Sequence, residues 1–130
     1  MPKILNLTRK RATQEQKNQG LVDLNEKDYI NLCNLLEFKE PPDMDEVMRR
    51  AALIGTIGAS KLADYDYALI EESPYMTPRL EYFLIEAEII PVYSFNIESY
   101  TYNYLPDGTI QTIINSKFVK FFSVYVDEIK

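Results

Sequence analysis

At 130 residues the chain is one ordinary domain, 1–130, long enough to bury roughly two thirds of its unfolded-chain surface without staples. Hydrophobic residues make up 46% and charged ones 26%, a globular balance that excludes a disordered chain. The formal net charge of −6 repels phosphate backbones at long range and excludes general nucleic-acid coating, while a local basic pocket is compatible with it.

The run from Lys3 to Thr8 favours an extended strand, and it breaks at once into Arg9-Lys10-Arg11. Thr13 and Gln16 then stand at the spacing of a capping box, so a short helix starts here and closes near Gly20. A strand running into a helix start through three cations is where α/β proteins hold anions. Lys3 and Lys17 add to this basic N-terminal segment.

Asn25 caps a second helix running to about Glu37, with Tyr29, Leu32, Cys33 and Leu36 on its apolar face. Cys33 reads as a buried reduced thiol, since no histidine exists to activate it. Pro41-Pro42 forces a break, because neither ring nitrogen can donate a helical hydrogen bond. Asp43, with Glu46 three residues on, opens a longer helix. Met44, Val47, Met48, Ala51, Ile54, Gly55, Gly58 and Leu62 fall on one of its faces. Its glycines are expected to let that face approach a sheet closely.

Tyr67 to Ile70 reads as a short buried strand, and Ser73-Pro74 and Thr77-Pro78 are two alternative starts for the helix that follows. Leu80, Phe83, Leu84 and Ala87 form its stripe, and Ile89 to Phe95 follows as a strand, a spacing that suits a right-handed parallel crossover. Tyr100, Tyr102 and Tyr104 then alternate with polar residues before the hairpin turn Pro106-Asp107-Gly108, and Thr109 to Ile114 returns. Phe118 to Val126 reads as a last strand. The expected fold is α/β: a parallel sheet core with helices, extended by a C-terminal antiparallel hairpin and strand.

Ligands of open α/β sheets sit outside the carboxyl ends of the parallel strands. Three such ends are Thr8 to Arg11, Glu71-Glu72-Ser73, and Phe95 to Ser99. Arg9, Lys10 and Arg11 are expected to face Glu71 and Glu72. The residues leave two readings open: ion pairs that neutralise one another, or a pocket with cations for phosphates and carboxylates for sugar hydroxyls or a metal ion. With no histidine in the chain, histidine-dependent catalysis is excluded, and neither a P-loop nor a dinucleotide glycine fingerprint occurs. The tyrosine alternation suits core, edge or dimer packing, and also a base-stacking platform. No cofactor or metal is expected. No run approaches the roughly 20 apolar residues of a membrane span, and the start lacks a signal-peptide apolar region, so a cytoplasmic protein without membrane contact is expected.

The segments ILNLTRKRAT-x-EQ, ALIEESPYMTPRLE and IIPVYSF, with the hairpin and aromatic strand after them, together resemble small CRISPR-associated proteins of Rossmann-like fold. These are CARF relatives of the ring-nuclease type. The resemblance implies an antiviral signalling protein, a homodimer that binds a cyclic oligoadenylate second messenger. It also implies that Arg9, Lys10, Arg11 and Thr13 hold phosphates while Asn6, Thr8, Ser73, Asn96 and Ser99 position the ring. Relatives carry a histidine at the position of Lys10, glycines near Glu71 and Glu72, an arginine pair near Ile97 and Glu98, and a histidine near Lys117. Those departures remove backbone and bidentate phosphate contacts, so a diverged member is implied and turnover, as a metal-independent ring nuclease, stays open. A different class, a non-catalytic interaction or dimerisation module using the tyrosine hairpin, fits the residues as well.

Overall fold

The computed structural model describes residues 2–61 and 63–130. In chain order its elements are β1 (Ile4–Asn6), α1 (Gln14–Asn18), β2 (Leu21–Asp23), α2 (Glu26–Leu36), α3 (Met44–Ala59), β3 (Tyr67–Leu69), α4 (Thr77–Glu86), β4 (Ile90–Tyr104) and β5 (Ile110–Phe122). One five-stranded sheet runs β2-β1-β3-β4-β5. The first four strands are parallel, and β5 is antiparallel to β4. This is the expected mixed α/β architecture of Rossmann-like type. Among the described residues, no helix is long and apolar enough to cross a membrane.

Alternation along the short strands builds two cores. Leu5, Leu7, Ala68 and Ile70 point to one side and pack with Leu32, Val47, Ile54, Leu80 and Leu84 from α2, α3 and α4. Ile4, Leu21, Tyr67, Leu69, Val92 and Phe121 form the second core, joined by Ala12, Val126 and Ile129. That second side carries only the five-residue α1 and the C-terminal tail, so the sheet is thinly covered there.

The helix starts follow their caps. Asn25 Oδ1 accepts the Asp28 N–H at 2.9 Å, and Asp43 Oδ1 accepts the Glu46 N–H at 2.8 Å. Of the two proline starts, Thr77-Pro78 lies in the first turn of α4. Ser73-Pro74 is instead a turn, whose Ser73 carbonyl accepts the Met76 and Thr77 amides at 3.0 and 2.9 Å.

Several expectations are corrected. Leu21–Asp23 is a strand that was not expected; Gly20, at φ +100°, turns the chain from α1 directly into it. Ile89 to Phe95 and the tyrosine segment are one continuous strand, as are the return segment and most of the last strand; after Phe122 the chain leaves the sheet. The pair forms a long arm held by an unbroken register from Asn96↔Phe118 to Tyr104↔Ile110, past one irregularity at Phe95/Asn96. The α3 glycines approach α4 more closely than the sheet: a Cβ on Gly55 would lie 2.8 Å from Phe83 Cβ, and one on Gly58 would lie 3.1 Å from Leu84 Cδ2 and Ile89 Cδ1. Cys33 is only half-buried. Leu62 lies outside the described residues.

Candidate functional site at the strand ends

The turn after β1 is organised from beneath by Asn6, which is buried. Its Nδ2 donates to the Lys10 carbonyl and to Asp23 Oδ1, both at 2.8 Å, and its Oδ1 accepts from Thr8 N at 3.0 Å and Thr8 Oγ1 at 2.7 Å. An asparagine has two N–H donors and two carbonyl lone pairs, and all four are used. Asn6 therefore shapes the loop, with all four of its side-chain bonds made inside the protein. Asp23, on the unexpected β2, is the second organiser; its Oδ1 also accepts the Ala12 N–H at 3.0 Å.

The three cations of the turn part company. Arg9 grips Glu72 through Nε at 3.1 Å and Nη2 at 3.2 Å. The Glu72 side chain is 4% exposed, and its carboxyl is pushed above its usual range by burial, which the adjacent Arg9 partly counters. Lys10 meets Glu71 at 3.3 Å, and both ends of that pair are open to water. Arg11 lies 3.8 Å over the Tyr29 ring and donates from Nη1 to the Leu24 carbonyl at 2.9 Å, while Tyr29 Oη donates to the Arg9 carbonyl at 2.6 Å. The carboxylates after β3 thus meet the cations after β1 across the point where strand order reverses.

Beside these loops is a cleft of about 560 Å³. Thr8, Lys10, Arg11 and Thr13 form one wall, and Ser94, Asn96 and Ser116 face them from the base of the arm. Lys10 and Arg11 stand there against Glu15 and Glu71, so the lining is balanced in charge although the whole chain is acidic, while Lys117, the partner of Ile97, borders the cleft from the opposite face of the arm. Thr13 Oγ1 accepts the Gln16 N–H at 3.2 Å and Gln16 Oε1 accepts the Thr13 N–H at 3.0 Å. The capping box is therefore closed on itself, and the basic turn, with no help from those two amides, supplies the positive charge. The cleft can hold a polyanion whose neutral parts meet hydroxyls and the Phe118 ring.

Of the expected site residues, Thr8, Lys10, Arg11, Thr13 and Asn96 line this cleft, and Asn6, Arg9, Ser73 and Ser99 do not. Arg9 is occupied by Glu72, and Ser73 sits in the turn that leads into α4. Ser99 was placed at a strand exit, but β4 runs on to Tyr104, and period-two alternation turns Ser99 to the sheet face opposite Asn96. Ser94 and Ser116 were missed, because the β4–β5 register that brings them opposite the basic turn spans an irregularity no local pattern announces. Among the described residues no group of three metal-ligating side chains converges. A larger hollow of about 660 Å³ lies between Phe38, Pro42, Met44, Tyr75 and Arg79; it is mainly apolar and is walled by the α2–α3 connection, the start of α3 and Tyr75 of the loop that leads from β3 to α4.

Sheet order defines a Rossmann-like α/β protein, with a polar cleft at the carboxyl edge of its parallel strands. The chain belongs to the uncharacterized protein MJ1673 family, whose model matches residues 2–122. No curated protein and no solved structure matches it.

Proposed function

We propose that the chain is a CRISPR-associated, CARF-like protein of the cytoplasm that binds a cyclic oligoadenylate as a homodimer. The observation that carries this reading is the cleft beside the β1 and β3 exit loops, where Lys10 and Arg11 stand among seven hydroxyl or amide side chains. Its position is the one at which open α/β sheets take nucleotides. A ring with several phosphates offers a charge to each cation, and its bases offer flat faces to Phe118. Cutting the ring by attack of its own ribose hydroxyl would need in-line geometry and a cation beside the developing charge, for which Lys10 and Arg11 are the groups at hand.

Calorimetry against cyclic and linear oligoadenylates tests the reading. Binding should weaken steeply between 50 and 200 mM salt, and the combined Lys10→Ala and Arg11→Ala changes should abolish it. Arg9→Ala should leave the salt slope unchanged, since Arg9 already holds a carboxylate. Absence of heat with every ring, or heat indifferent to the double change, would overturn the proposal. The alternative, an interaction module without catalysis, is favoured by one specific observation: Tyr100, Tyr102 and Tyr104 are 53, 58 and 81% exposed.

A further inference from the structure

The β4–β5 arm projects beyond both cores, and its two faces differ. Cross-strand partners share a face, so Tyr100 lies beside Ile114, Tyr102 beside Thr112 and Tyr104 beside Ile110. This face continues the side of the sheet that holds Phe118 and the cleft, since Asn96 pairs with Phe118 two residues below Glu98. Glu98 is its only charged residue, and that carboxylate accepts the Tyr100 hydroxyl at 3.1 Å. Nothing in the described chain covers it: α1 and the tail reach only the base, where Ser123 Oγ donates to the Pro91 carbonyl at 2.8 Å and Lys130 N to Tyr67 Oη at 3.1 Å.

We infer that this tyrosine face is the surface on which a second copy of the chain docks, arm against arm, about a two-fold axis. The inference rests on the homodimer part of the proposed function and assigns it a place. A two-stranded ribbon is marginal in water unless a further layer covers its apolar face. With Ile110 and Ile114 57 and 59% exposed, the three tyrosines and two isoleucines leave roughly 600 Å² in contact with solvent, taking roughly 200 Å² for each whole side chain. Two copies that covered all of it would bury roughly 1,200 Å² between them, the lower bound for a specific interface. A two-fold contact needs a self-complementary patch, and alternating Tyr and Ile on a nearly uncharged surface provides one. A nucleic-acid strand is the poorer occupant, because no cation lies on this face beyond the base of the arm to meet its phosphates. Because face and cleft are continuous, the partner's arm tip would pass over the cleft and narrow its mouth.

Sedimentation of the full chain from 1 to 100 µM tests this. Wild type should sediment as a dimer. Tyr102→Glu with Ile114→Glu should raise the dimer dissociation constant at least thirtyfold, with the circular dichroism of the fold retained. Ile97→Glu, on the opposite face, should leave it unchanged. If the glutamate pair unfolds the chain, Tyr102→Ser with Tyr104→Ser removes apolar area without adding charge and should weaken the dimer in the same direction. A wild-type dimer indifferent to the tyrosine-face changes but broken by Ile97→Glu would overturn the inference and leave the homodimer reading standing. A wild type monomeric at 100 µM would remove both, whether or not its tyrosine fluorescence is quenched by single-stranded oligoadenylate.

Discussion

Arg9→Ala should destabilise the fold at neutral pH, and the loss should fade as the pH falls. An ion pair open to water at both ends contributes about 0–1 kcal/mol, whereas removing one partner of a fully buried pair costs about 3–5 kcal/mol. Glu72 is 4% exposed and Arg9 half-exposed, so the expected loss lies between, at about 1–3 kcal/mol. The folded-state pKa of Glu72 is already raised above its ordinary 4.5 by burial, so the folded chain holds this proton more tightly than the unfolded one. Its favourable contribution is therefore complete below pH 4.5 and is lost as the pH rises through the folded value. Removing Arg9 takes away a group that lowers that value, so the deficit of the variant should shrink steadily from pH 7 toward pH 4.5. Urea unfolding followed by circular dichroism at several pH values measures this, with Arg9→Ala, Glu72→Gln and the double change forming a cycle. A deficit under about 0.5 kcal/mol at pH 7, or one independent of pH, would refute the idea that a buried carboxylate needs this guanidinium.

Gly55→Ala places a methyl group 2.8 Å from Phe83 Cβ, an atom fixed to the α4 backbone, and the overpacking of about 1–3 kcal/mol should outweigh the gain of about 1 kcal/mol in helix propensity. Gly58→Ala meets only the mobile ends of Leu84 and Ile89 at 3.1 Å, so it should be near neutral or slightly stabilising; thermal unfolding of the two variants should rank them in that order. Glu46 is held down to about 2 by hydrogen bonds from Arg49 and Arg50, so its stabilisation is present above 4.5 and lost as pH falls from there through about 2. Glu46→Gln should flatten the acid limb of the stability profile in that window, and an unchanged limb would show that the Arg49 and Arg50 contacts add nothing.

Much of the fold could be read from local pattern. Asn25 and Asp43 cap the helices they were expected to cap, Tyr67–Leu69 is a buried strand, and the turn at Gly108 has the positive φ of +87° that only glycine takes easily. What escaped was set by partners distant in sequence. Leu21–Asp23 is three residues long, too short for any period, and becomes a strand because Ile4–Asn6 lies beside it. The breaks expected after Phe95 and Ile114 do not occur, because each segment finds its partner in the other along the whole arm. At the site, the basic turn and its acidic neighbours were legible as a charge pattern. Which cation would meet which carboxylate was not, since that depends on the Arg9 side chain reaching one loop and Arg11 stacking on Tyr29 from another.

The pairing decides which cations a ligand can recruit. To free Arg9, a phosphate would have to strip a carboxylate whose side chain is out of water and would then stand unpartnered, at a cost of about 1–3 kcal/mol. To free Lys10 it need only displace Glu71, whose carboxylate is 55% exposed and returns to water for about 0–1 kcal/mol. Arg11 requires no displacement, because its guanidinium rests on a ring and a carbonyl, neither of which carries a charge. The electrostatics therefore divide the basic turn in two: Arg9 fastens the β1 loop to the β3 loop, and Lys10 and Arg11 are the cations that can respond to an anion.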